Sequence, residues 1–99
     1  MPLYAIIGTH LPDTLVQRNA VRPAHLARLE TLKAQGRLVL AGPFPAVDAP
    51  DPGPAGFTGS LIVAEFESLA DAQKWDSEDP YHQGVYGQTS VKPFKQVLP

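Results

Sequence analysis

Apolar positions along this chain fall into four short runs and two longer periodic stretches, in the order run, stretch, run, run, stretch, run. Leu3 to Gly8 is continuously apolar and closes on glycine, which predicts a buried first strand. Thr9 to Ala20 is a polar approach, in part helical. From Pro23 the spacing changes to that of a helix carrying Leu26, Leu29 and Leu32. Proline suits a helical first turn because its missing N–H has no partner to lose there. Gly36 is a favourable left-handed stop. Arg37 to Ala41 predicts a second strand closed by Gly42-Pro43, and the proline-rich segment Phe44 to Gly56 an ordered loop. Gly59 to Phe66 alternates as a strand should. Ser68-Leu69-Ala70-Asp71 has the form of a capping box, opening a second helix with Leu69, Ala72 and Trp75 on its buried side. Pro80 disfavours helical geometry at Asp79, so that helix ends before it. Gly84 and Gly87 mark a turn, and Thr89 to Val97 is the last strand. Pro93 has no N–H for a ladder, which places this strand at an edge.

The resulting order, β-α-β-β-α-β, is that of an α+β ferredoxin-like fold. Two helices cover only one face of a four-stranded sheet. Yet the first strand is apolar at both Leu3/Ala5/Ile7 and Tyr4/Ile6, and the second at both Leu38/Leu40 and Val39/Ala41. A sheet with one wet face would alternate. The pattern therefore predicts a homodimer whose sheets pack face to face.

Composition narrows the function classes. The 99 residues are enough for one domain, residues 1–99, with a single core. A net charge of −2, with no basic run, argues against nucleic acid and anionic membrane surfaces as partners. There is no 20-residue apolar span and no charged, apolar leader at the N-terminus. The absence of cysteine removes disulfides, thiolate nucleophiles and zinc–thiolate sites. The expected compartment is the cytoplasm.

Chemistry concentrates around the first helix. Arg22, His25, Leu29 and Leu32 fall within roughly one third of its circumference, so an imidazole is threaded into the core-facing stripe. His25 is either a core residue satisfied by one backbone carbonyl or the working base of a pocket. As a base it needs an orienting partner. Asp79, freed from the helix surface by Pro80, is a candidate, but it lies 54 positions away and no local spacing links the two. Arg22 is placed to clamp a substrate carboxylate or phosphate, or to pair with Asp79. Ser60 is an ordinary strand residue or a pocket hydroxyl, and Tyr81 a wall or a phenolic donor. His10, His25 and His82 show no metal-ligand spacing, and no phosphate loop, dinucleotide fingerprint or nucleophile elbow is present. Any chemistry here is expected to proceed without metal or nucleotide cofactor.

Several segments together resemble the YciI family of YCII-related domain proteins over essentially the whole chain. They are Val21 to Leu29, Gly36-Arg37-Leu38 with Ala41-Gly42-Pro43, Ala55 to Ser60, Ala64 to Ser68, Asp79-Pro80-Tyr81 and Ser90 to Lys95. The resemblance implies a dimeric α+β barrel of ferredoxin-like halves. It also implies an active site built on a histidine–aspartate dyad, which by motif position is His25 (Arg-Pro-x-His) and Asp79 (Asp-Pro-Tyr). Fold relatives include a dehydrochlorinase, an isomerase and cofactor-free monooxygenases, which suggests proton transfer on a small organic molecule. The expectation is a lyase- or isomerase-like enzyme with Arg22, Ser60 and Tyr81 binding substrate. The alternatives are a non-catalytic ligand-binding module and a structural dimer.

Overall fold

The two most buried strands, β1 (Leu3–His10) and β3 (Phe57–Glu65), pair antiparallel at the centre of the sheet. β2 (Leu38–Pro45) flanks β3 and β4 (Tyr86–Phe94) flanks β1, giving the order β2-β3-β1-β4 with every pairing antiparallel. The computed structural model describes all of residues 1–99. Helices α1 (Leu15–Ala34) and α2 (Leu69–Ser77) complete the β-α-β-β-α-β order. No helix is long and apolar enough to cross a membrane.

Register decides which side chains form the core. Tyr4 pairs with Ala64, Ile6 with Ile62 and Gly8 with Ser60, so these residues share one face. Leu29 and Leu32 from α1, with Phe66 and Ala72, close over Tyr4, Ile6, Ile62 and Ala64 as one buried cluster. Gly8 is required here: a Cβ at this position would collide with the ring of Tyr86. The other face carries no helix. Leu40 and Phe44 on β2 and Phe94 on β4 are more than 40% exposed.

The structure moves several boundaries. α1 begins at Leu15 rather than near Pro23, and Pro23 lies about two turns inside it. An internal proline removes the hydrogen bond to the carbonyl four residues earlier, a cost of roughly 3 kcal/mol. Arg18 is buried before Pro23, and His25, Leu29 and Leu32 after it, so the packing of one continuous stripe offsets that loss. β2 runs through Gly42-Pro43 to Pro45, which an edge strand tolerates. β4 starts at Tyr86 and ends at Phe94, three residues earlier at each end than Thr89 to Val97, and a register shift follows Thr9. The Phe44–Gly56 segment therefore begins in β2; it also holds a short 3-10 turn, Gly53–Ala55, and closes through Ala46 N–H donating to the Gly56 carbonyl. Only half of the capping box forms: Ser68 Oγ accepts from the Asp71 N–H. Leu69 is exposed, not buried, and α2 buries Ala72 and Asp76.

Candidate active site

The site is assembled where α1 meets the exit from α2. His25 is on the buried stripe of α1, 5% exposed. Asp79 leaves α2 in an extended conformation (φ −68°, ψ 130°), as Pro80 demands. It then caps the short 3-10 turn Pro80–His82, its Oδ1 accepting from the Tyr81 N–H at 2.9 Å. Both carboxylate oxygens face His25, with Oδ1 and Oδ2 at 2.8 and 2.9 Å from Nδ1. The Tyr81 ring lies flat on the imidazole, centroids 3.7 Å apart and planes 5° from parallel. One tripeptide thus supplies both the acid and the stacking ring. Arg28 also turns toward this region. Its Nη2 donates to the Trp75 carbonyl at 2.7 Å, the guanidinium lies over the Trp75 ring, and Nη1 sits 4.0 Å from Asp79 Oδ2.

This geometry selects a tautomer. A carboxylate can only accept, so Nδ1 carries the proton and the neutral imidazole presents its lone pair at Nε2. His25 lines a cavity of about 110 Å³, and Nε2 has no partner within the chain. Arg22, Ser60 and Tyr81 line the same cavity, so all five residues singled out in the sequence are gathered at one place. Their environments differ. Arg22 is exposed at the rim, whereas Ser60 and Tyr81 are buried. Ser60 Oγ shares a 3.0 Å hydrogen bond with the Tyr86 hydroxyl. Burial drives the Tyr86 phenol well above its usual range, against the opposing pull of that bond. Burial also raises the Tyr81 phenol, although the charges of Arg18 and Arg22 act the other way. Both phenols therefore remain protonated donors at neutral pH.

Three further residues belong to the region and were not singled out in the sequence. Arg18 is buried, lines the His25 cavity, and also lines a second one of about 470 Å³. Its guanidinium stacks 4.1 Å from the Phe57 ring centroid, and its Nε is buried without a partner. Burial shifts its pKa downward, yet a guanidinium starts so high that it keeps its charge. His10 lines the larger cavity, packs edge-on against Tyr81, and has an unpartnered Nε2. Burial, followed by the charge of Arg18, pushes its pKa down to about 4. Tyr86 is the third. Extending the first strand two residues beyond Gly8 would have reached His10, and extending the helix before Pro23 would have reached Arg18.

Residues 2–95 match the YCII-related domain. The chain belongs to that family. It is 59% identical over 97 residues to Protein YciI of Escherichia coli O6:H1, covering 97% of this chain and 99% of the relative. An uncharacterized protein of Haemophilus influenzae is 52% identical over 96 residues, covering 96% and 98%. Among solved structures, 5-chloro-2-hydroxyhydroquinone dehydrochlorinase from Burkholderia phenoliruptrix, in complex with 2,5-dihydroxybenzoquinone, superposes with a TM-score of 0.81 at 31% identity, covering 95% of this chain and 94% of that one. An antibiotic biosynthesis monooxygenase-like protein of Nitrosomonas europaea, at 10% identity and a TM-score of 0.57, covering 99% and 100%, shares the fold. The ferredoxin-like architecture of this YCII-related protein is thus common to proteins of different sequence.

Proposed function

We propose that this YCII-related protein is a small general acid–base enzyme of the lyase or isomerase kind, acting on a small organic molecule. Asp79 holds Nδ1 of His25, and Nε2 takes a proton from the substrate and returns it. The observation that carries this reading is the two-oxygen grip on Nδ1 combined with an unpartnered Nε2 at a cavity. A core histidine satisfied by a backbone carbonyl would need neither feature. Arg22, Ser60 and Tyr81 bind the substrate, Tyr81 also fixing the imidazole plane. The likeness to a dehydrochlorinase supports proton abstraction from a hydroxylated ring as the chemistry to try first.

The test is turnover of hydroxylated hydroquinones and benzoquinones, including 5-chloro-2-hydroxyhydroquinone, followed by proton NMR in D2O. The wild type should convert a member of the set or exchange its ring hydrogens. His25→Ala should lower that rate by about 10²- to 10⁴-fold while its circular dichroism stays native. Equal turnover by His25→Ala refutes the assignment. A wild type that binds members of the set and changes none of them is a ligand-binding module instead.

We further propose that a second copy of the chain covers the helix-free face of the sheet, where Leu40, Phe44 and Phe94 are exposed. Sedimentation at micromolar concentration should give a dimer that Leu40→Glu weakens. A wild-type monomer would exclude it.

A further inference from the structure

We propose that Arg18 is the receptor for an acidic group of the substrate, so that the molecule offered to His25 is a small organic anion. The proposal rests on reading the His25 cavity as the substrate site and names the class of molecule that site takes.

Arg18 is 7% exposed, its Nε is buried without a hydrogen-bond partner, and its guanidinium belongs to none of the ion pairs in the fold. A buried, unpaired charge is destabilising unless something outside the chain completes it. No carboxylate of the chain forms an ion pair with it, Asp13 being on the wall of the larger cavity that Arg18 also borders. The lining of the His25 cavity contains two guanidinium groups, Arg18 and Arg22, and no carboxylate. Asp79 stands behind the imidazole with its oxygens committed to His25 and the Tyr81 N–H. Another of the three unpartnered buried nitrogens is Nε2 of His10, a residue that lines the larger cavity Arg18 also borders. Phe57 occupies one side of the guanidinium plane, leaving the in-plane N–H donors for a ligand. Those donors match two coplanar oxygens, as in a carboxylate or an acidic hydroxyquinone.

The placement also fits the chemistry. A base that removes a proton from such a molecule builds negative charge on it, and a fixed cation in a dry wall stabilises that charge without reorganising. Arg18 does so at the far end of the same helical stripe that carries the base.

Calorimetric titration at low ionic strength with 2,5-dihydroxybenzoquinone and with benzoate, both anions at neutral pH, tests the proposal. The wild type should bind at least one of them, and Arg18→Met should weaken that binding by about 10- to 100-fold. On the wild-type protein, the Arg18 Nε–H resonance should shift during the same titration with the same midpoint, a readout that survives even if Arg18→Met does not fold. Binding of neither anion, unchanged affinity in folded Arg18→Met, or an unmoved Arg18 resonance while an anion binds each overturns the proposal. The readout is binding, so it fails separately from proton transfer. Anion affinity carried by Arg18 without turnover leaves the receptor standing and removes the base, whereas turnover dependent on His25 but indifferent to Arg18 does the reverse.

Discussion

At the scale of single residues, Asp79 has two tasks that chemistry can separate. Its carboxylate accepts from His25 Nδ1, and the same Oδ1 caps the turn that carries Tyr81. Asp79→Asn keeps an oxygen for the cap but loses the charge and one of the two acceptors. Turnover should fall by about 10²-fold or more while thermal unfolding changes little, and Asp79→Ala should damage both. Rate and melting temperature measured on the two variants check this; an Asp79→Asn protein as active as wild type would show that the carboxylate only builds the turn. The partnership itself was not legible in residue spacing. Fifty-four positions separate the pair, and only tertiary structure closes that gap. The Asp-Pro dipeptide announced an extended exit from the helix, not where the carboxylate would land.

Among the elements, the strands and helices were legible because periods of 2 and 3.6 seldom imitate each other over such lengths. Punctuation by proline was less so. Pro23 is equally acceptable as a first-turn residue and as an interior residue whose cost packing absorbs, and the local sequence does not distinguish these. Reading it as a start concealed Arg18, although Arg18, Arg22, His25, Leu29 and Leu32 lie within about 80° on one helical wheel. β1 illustrates a different constraint. Gly8 makes room for the Tyr86 ring, whose hydroxyl meets Ser60 at the cavity floor. Gly8→Ala should cost about 1–3 kcal/mol in chemical denaturation through overpacking. The same substitution in a Tyr86→Leu background should cost less, since a smaller, more flexible side chain can move away. A double-mutant cycle reads that coupling, and its absence would relocate the constraint to the backbone.

For the whole molecule, one group ties stability to pH in a readable direction. His10 titrates near 4 in the fold and near 6.5 when the chain is unfolded, because burial and then the positive charge of Arg18 oppose its protonation. Between those values the unfolded chain binds the extra proton. This contribution is therefore whole above pH 6.5, drains away as pH falls toward 4, and changes no further below that. Urea midpoints between pH 7 and pH 4.5 should fall accordingly, and His10→Phe should flatten the slope between pH 6.5 and 5. An unaltered slope would assign the loss to carboxylates. Global topology was well represented in the sequence, since the order of periods admits few folds. The cation behind the site was not, because burial of a charged residue contradicts the usual fate of its type.

The outer strands hold one more consequence. β2 and β4 are the two edges of the sheet, and both carry proline: Pro43 and Pro45 in β2, Pro93 in β4. A proline has no N–H to offer an added strand, and its place on an edge discourages side-by-side growth into ribbons. The face-to-face pairing proposed above would then close after one encounter and leave no template for a fibre.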